Sequence, residues 1–253
     1  MVPGKRKARG RTGYGVDEPR MIAQLGVAGA LCAAVGVLIS VYTISSSPKA
    51  ADTAIIVGPG VGFLIFVVAA ALYWSSRLGK GREMSKIVND IPWGGEEVVL
   101  DLGCGRGLAM VMAAKRLTTG YALGIDTWSS ARLSGNDPRS IGANAEHEGV
   151  ESRVSAARGF SAQLPLADRS VDVILSGVAL HHLVPRKQRK ALFAEMARVL
   201  KDGGRVGILD AGNGPEYSTL LNRTGLRDVE LHRIRFAGFP PFHIVLARKP
   251  YRV

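Results

Sequence analysis

The chain has 253 residues, 47% of them hydrophobic and 21% charged, with a formal net charge of +12. So much apolar material excludes disorder as the main state, and the two cysteines, Cys32 and Cys104, exclude a disulfide scaffold. A soluble protein this basic would be hydrophilic on average, yet mean hydropathy is +0.13, so an apolar block and a charged block share one chain.

Residues 1–20 form a basic tail with Lys5, Arg6, Lys7, Arg9, Arg11 and Arg20. It reads first as a disordered topology signal, with anionic headgroups or nucleic acid as alternative partners. The apolar block follows. Residues 21–44 and 54–74 are uncharged runs of 24 and 21 residues. As helices they would be roughly 30–36 Å long, enough to cross a ~30 Å hydrocarbon core. Neither carries the polar stripe of a long soluble helix. A cleaved signal peptide would have a shorter apolar region and no second span. With the linker 45–53 between them, residues 21–74 are expected to form a transmembrane hairpin.

Gly26, Ala30 and Ala34 recur at four-residue spacing, with Gly29 and Ala33 beside them, and small residues let helices approach closely. Gly58, Pro59 and Gly60 predict a kink or a late start of the second helix. Tyr42, Tyr73 and Trp74 suit the membrane interface. Arg77, Lys80, Arg82 and Lys86 follow the second run, whereas the linker has only Lys49. This bias places both ends and everything after Trp74 in the cytoplasm, at the inner face of the cell membrane. The charge divides evenly. Residues 1–81 hold 9 basic and 3 acidic residues, and residues 82–253 hold 24 and 18, so each part carries +6. The soluble part is therefore only mildly basic, which argues against a nucleic-acid partner.

After a linker helix over 75–91, residues 92–253 read as one domain. Apolar β-rich runs lie at 98–101, 121–125, 154–157, 171–175, 205–209, 229–234 and 243–247. Helical patterns lie at 108–117, 138–148, 187–200 and 216–224. This alternation predicts an α/β fold with a mainly parallel sheet covered on both faces. Ligands of such sheets bind outside the carboxyl ends of the strands.

The first strand runs into Asp101, followed by Gly103, Gly105 and Gly107. Alternate glycines allow a tight turn and close backbone approach to a ligand. A dinucleotide fingerprint would require glycine where Leu108 stands. The carboxylate of Asp101 disfavours a pyrophosphate and suits a ligand with an amino group. Asp126 ends the second strand, where a carboxylate accepts hydrogen bonds from ribose hydroxyls.

This combination resembles the class I S-adenosylmethionine-dependent methyltransferases, of the group that includes quinone, sterol and small-molecule enzymes. The resemblance covers about residues 92–250 and continues in order. Gly159, Leu164, Pro165, Asp168 and Asp172 match the third and fourth strand region. Ser176, His181 and His182 match the loop after strand four, and Glu195, Arg198, Lys201, Gly203 and Gly204 the helix and turn before strand five. It implies a Rossmann-like seven-stranded sheet with an antiparallel last strand, and S-adenosyl-L-methionine as cofactor. The cofactor-binding positions it implies are Asp101, Gly103, Cys104, Gly105, Gly107, Asp126, Thr127, Phe160, Ser161 and Ser176. The family often has aspartate where Phe160 stands. Here the resemblance implies adenine held by ring contact and by backbone or Ser161 groups.

Methyl transfer needs orientation and sometimes a base. His181, His182 and Asp210 are the catalytic candidates, since a histidine suits deprotonation of a hydroxyl. The competing reading makes one histidine packing, the other pocket wall, and Asp210 structural or cofactor-adjacent. Glu195 and Arg198 read as a helix brace. No metal site is expected. Amino-methylating enzymes often carry an N-P-P-Y-type loop where this chain has Ser176, Gly177, Val178 and Ala179. A single cysteine in the domain, Cys104, disfavours arsenite chemistry. The basic run Arg186 to Lys190 reads as a solvated helix start, with anionic headgroups as the alternative.

The short segment after Asp210 leaves little room for a lid, so residues 73–91, residues 128–137 or the membrane surface would complete the acceptor site. The leading expectation is a membrane-anchored methyltransferase acting on a hydrophobic or membrane-associated small molecule. A membrane-tethered pseudo-enzyme and an RNA methyltransferase are the competing readings.

Overall fold

The computed structural model describes residues 13–129, 131–159, 163–183, 185–234 and 241–251. The basic positions 5–11, Phe160 and Ser161 lie outside the described residues.

Two long helices come first, α1 (Pro19–Thr43) and α2 (Pro48–Trp74). Each has proline in its first turn, where the missing N–H has no intrahelical partner to lose. At 25 and 27 residues they extend about 37 and 40 Å. By length and composition both could cross a membrane. They pack through glycine pairs. A Cβ on Gly36 would lie 2.6 Å from Cα of Gly58, and one on Gly29 would lie 2.8 Å from the carbonyl oxygen of Gly62. Leu38, Val41, Ile56, Phe63, Leu64 and Phe66 are exposed on the outer faces.

Two expectations about this pair are corrected. Of the small residues expected to admit the partner, Gly29 and Ala33 do so, joined by Gly36, whereas Gly26, Ala30 and Ala34 do not. Nothing lies within 4 Å of Gly26, and Ala30 and Ala34 are exposed. A seven-residue repeat keeps Gly29 and Gly36 on the partner's side, whereas a strict four-residue repeat drifts off it. The second helix also starts at Pro48 rather than after Pro59, and it runs through Pro59, which removes only the donor for the carbonyl of Ile55.

α2 continues through a π-helical stretch, Ser75–Gly79, into α3 (Lys80–Asp90), so one helical rod runs from Pro48 to Asp90. α3 is strongly amphipathic. It buries Met84, Ile87 and Val88, and the Trp93 indole donates to the carbonyl of Val88 at 2.7 Å. Ile87 sits where a Cβ on Gly207 would be, 2.4 Å from its Cγ2, so glycine in the sheet is what admits α3.

The domain alternates as the pattern predicts. Its elements are β1 (Val98–Leu102), α4 (Leu108–Ala114), β2 (Tyr121–Asp126), α5 (Pro138–Glu148), β3 (Val154–Arg158), β4 (Val171–Gly177), α6 (Leu180–Leu183), α7 (Arg186–Val199), β5 (Leu200–Asp210), α8 (Gly214–Arg223), β6 (Arg227–Ile234) and β7 (Phe242–Arg248). They build a seven-stranded sheet of order β3-β2-β1-β4-β5-β7-β6. β1 to β5 pair in parallel, and β7 is antiparallel to both neighbours, as expected.

Alternation along the strands divides the core. Val99, Ala122, Val173 and Leu175 face α3, α4 and α5, whereas Leu100, Ile174, Val206 and Ile208 face α7 and α8. β5 begins at Leu200, five residues before the expected start. Residues 201–204 bulge out between the pairings Val171–Leu200 and Val173–Arg205.

Residues 13–18, counted in the sequence with the basic tail, are an ordered strap on the domain. Ser134 donates to the carbonyl of Val16 at 2.9 Å, Glu18 donates to the carbonyl of Arg132 at 2.8 Å, and Asp17 bridges Leu133 in antiparallel fashion. The Gly13 amide and the Asn144 side chain close the far end at 3.3 Å. The strap leads straight into α1, so both roots of the helical hairpin meet the domain.

Candidate active site

The order β3-β2-β1-β4-β5 reverses direction between β1 and β4, and the cleft at their carboxyl ends lies there, as doubly wound topology demands. Gly103, Gly105 and Gly107 all have positive φ, 76°, 53° and 86°. The first two turn the chain so that the amides of Gly103 and Cys104 both donate to the carbonyl of Ile125. Gly107 opens α4 in the left-handed conformation.

Asp101 is 1% exposed. Its Oδ2 accepts from the amide of Met110 at 3.0 Å, and its Oδ1 is buried without a protein partner. Burial raises its pKa to about 7, with Asp126 adding to the rise and the Met110 bond opposing it. Asp126 is also buried, and its two oxygens accept from the amides of Gly105 and Trp128. Asn136 Nδ2 reaches the same carboxylate at 3.4 Å. The Cys104 thiol is pushed up, first by burial and then by Asp101 and Asp126, so it sits in the loop as a neutral packing group.

The cleft has a volume of about 40 Å³. Asp101, Gly103, Cys104 and Gly105 line it. Gly177 and Leu209 close the side toward β4 and β5. The rest of the wall is made by Lys80 and Leu133, from the segments 73–91 and 128–137 named in the sequence, by Arg106, and by Tyr14 and Asp17 of the strap, which sequence reasoning missed. A Cβ on Gly105 would meet Leu133 at 2.8 Å, so the 129–137 loop and the strap together roof the glycine turn.

Lys80 Nζ lies 2.9 Å from both oxygens of Asp17, and Ser76 donates to Asp17 at 2.8 Å. No motif could have flagged Asp17. Its role depends on a strap and a loop that meet only in three dimensions.

Several expected positions do other work. Ser176 is fully buried and donates to the carbonyl of Leu102 at 2.7 Å, so it braces β4 against β1. Thr127 is exposed. Its neighbour Trp128 turns inward with φ 51°, and its indole donates to the carbonyl of Gly105 at 3.1 Å. Gly107 packs toward Ile141 and Val111.

The catalytic candidates do converge. Val178 takes a positive φ of 54° at the end of β4, strained for a β-branched residue, and its amide donates to the carbonyl of Leu209. That turn aims α6 so that His181 Nδ1 lies 2.7 Å from Asp210 Oδ2. Burial alone would raise the Asp210 carboxyl. Hydrogen bonds from His181 and Asn213 outweigh burial and hold it below its ordinary value. A carboxylate only accepts, so Nδ1 carries the proton and Nε2 is the basic nitrogen. The His182 ring lies 3.8 Å from that of His181, centroid to centroid, and its Nε2 lies 3.2 Å from Glu18.

Glu195 and Arg198 form the brace the sequence suggested, and Arg198 also binds the carbonyls of Leu164 and Leu166 and the Asp168 carboxylate. In the basic run Arg186 to Lys190, Arg189 is buried and paired with Glu216 at 2.6 Å. Among the described residues no cluster of histidine, cysteine and carboxylate side chains could hold a metal.

An orphaned buried carboxylate beside a side-chain-free turn fits a ligand with an ammonium group and a sugar, which are the parts of S-adenosylmethionine. Known proteins agree. Residues 99–204 match a family model for a methyltransferase domain. The chain is 33% identical over 124 residues to a 2-phytyl-1,4-beta-naphthoquinone methyltransferase of Arabidopsis thaliana, 47% of this chain and 45% of that one. It is 36% identical over 115 residues to an arsenite methyltransferase of Halobacterium salinarum, 45% of this chain and 27% of that one.

Residues 99–204 thus carry a methyltransferase domain. Its fold is also that of a geranyl diphosphate methyltransferase solved with the cofactor, with a TM-score of 0.55 at 16% identity, covering 73% of this chain and 90% of that one. The chain spans about half or less of the length of the curated relatives it matches.

Proposed function

We propose that the chain is a membrane-anchored methyltransferase whose acceptor is a hydrophobic or membrane-associated small molecule bearing a hydroxyl. The observation that carries this reading is the meeting of the cofactor cleft with both roots of the apolar hairpin. The strap that lines the cleft becomes α1 one residue after Glu18, and Lys80 lies just beyond the end of α2. An acceptor partitioned into a bilayer around α1 and α2 would approach the cleft along that root. The basic residues Arg20, Arg77, Arg82 and Lys86 at the same root suit the cytoplasmic face of the membrane.

Asp101 would take the ammonium group of the cofactor, and Asp126 the ribose hydroxyls. The bound cofactor supplies an electrophilic methyl group. His181 accepts the proton of the acceptor hydroxyl at Nε2, while Asp210 on Nδ1 fixes the tautomer and stabilises the imidazolium that forms. The buried, ionised Asp210 is available for this because its other oxygen is already bonded to Asn213.

The test uses the full chain in lipid nanodiscs. Calorimetry should detect S-adenosylmethionine binding, and labelled methyl should pass from it into organic extracts of the source membranes. Label in RNA alone would overturn the acceptor class. Binding without any transfer would favour a tethered binding module.

A further inference from the structure

The amino-acid end of S-adenosylmethionine carries a carboxylate as well as an ammonium group. Asp101 suits the ammonium, so the carboxylate needs a cation. Two cationic side chains line the cleft, Lys80 and Arg106. Arg106 turns toward the 129–137 loop, where its Nη1 reaches the carbonyl of Ser134 at 3.3 Å. Lys80 stays at the wall, its side chain 8% exposed. An ammonium group has three donors. Two point at the Asp17 carboxylate, at 2.9 Å each, and the remaining protein contact, the carbonyl of Tyr14, is stretched to 3.5 Å.

We propose that Lys80 binds the carboxylate of S-adenosylmethionine, and that Asp17 is the positioning residue that holds Lys80 at the cleft wall. The assignment rests on the reading that this domain binds that cofactor. It also closes the charge account. Asp17, Asp101 and Asp126 contribute three negative charges, Lys80 and Arg106 two positive, and the cofactor a net positive, so the loaded cluster is neutral. Buried charges are tolerated when they are paired in this way. Asp17 precedes α1 and Lys80 follows α2. The cofactor's amino-acid subsite is thus built from the two roots of the hairpin, and neither root alone completes it.

The test compares equilibrium binding of S-adenosylmethionine and of its decarboxylated analogue to the full chain in nanodiscs. The unaltered protein should prefer the carboxylated ligand by about tenfold or more, the scale of one charge-assisted hydrogen bond. Lys80→Met should bind both ligands alike, whereas Lys80→Arg should keep a preference. Asp17→Asn, which retains the lysine, should weaken binding of S-adenosylmethionine and shrink the preference. A full preference in Lys80→Met overturns the assignment, as does a preference lost in Arg106→Met instead. An Asp17→Asn protein indistinguishable from the unaltered one overturns the positioning role. If the unaltered protein binds neither ligand, the cofactor reading itself fails.

Discussion

The carboxylate of Glu18 lies 3.2 Å from Nε2 of His182, joining the last residue before the first apolar helix to the turn that carries the proposed base. Burial, then His181 and Arg132, lower the pKa of His182 to about 4. It is therefore neutral near pH 7, and the contact is a hydrogen bond donated by the imidazole. The strap consequently touches the site twice, at the cleft through Asp17 and at the histidine pair through Glu18.

The His181–Asp210 contact predicts a division of labour. Asp210→Asn should lower kcat by about 10²–10⁴-fold, the usual weight of acid–base catalysis, and leave cofactor affinity within about twofold. Turnover of labelled methyl, set beside calorimetric binding, separates the two. An equal loss in both would make Asp210 structural.

Cofactor affinity should depend on pH through Asp101. Its carboxyl titrates at about 7 in the free domain, so it is protonated below that pH and ionised above it. An ammonium ligand needs the ionised form. Affinity should therefore rise as pH increases through about 7 and fall below it, with proton release on binding at acid pH. Asp101→Asn should bind weakly at every pH and flatten the profile. Titrations at pH 5.5, 7 and 8.5 suffice as a check.

The helix pair should be sensitive at one glycine and indifferent at another. Gly36→Leu would drive a side chain into the backbone of Gly58, whereas a Cβ on Gly26 meets nothing within 4 Å. The first should destabilise the pair by about 1–3 kcal/mol and Gly26→Leu should be nearly neutral. Thermal unfolding in detergent, followed by circular dichroism, would show the difference.

Gly207 makes the corresponding test for the docking of α3. A valine there collides with Ile87. Gly207→Val should cost about 1–3 kcal/mol. It should also loosen the cleft, because Lys80 rides on the same helix. Denaturant unfolding monitored by tryptophan fluorescence would report the first effect, and cofactor affinity the second.

Most of the sheet was legible because its signals are local. Alternating apolar residues mark each strand, and Asp101 with its three glycines marks the cradle within a few positions. His181 and Asp210 could be nominated as strand-end residues, but their 2.7 Å contact could not be seen, because it depends on the strained turn at Val178. The strap's share of the roof was invisible for a related reason. Tyr14, Asp17 and Glu18 lie in a basic, glycine-rich stretch whose composition resembles a tail, and their partners at Ser76, Lys80, residues 132–134 and His182 are distant in sequence. The glycine stripe was misplaced by one helical position because spacing alone does not say which face meets the neighbour. The late start expected for α2 overweighted Pro59, since a proline inside a long apolar helix forfeits one backbone hydrogen bond and packing can compensate for it.

The strap also imposes an order in time. Residues 13–18 leave the ribosome before either apolar helix, yet Gly13 cannot find Asn144, nor Glu18 its histidine, until more than half the chain has been made. A segment made before both apolar helices is thus among the last to settle. A bulky insertion directly before Gly13 would burden this late-closing piece.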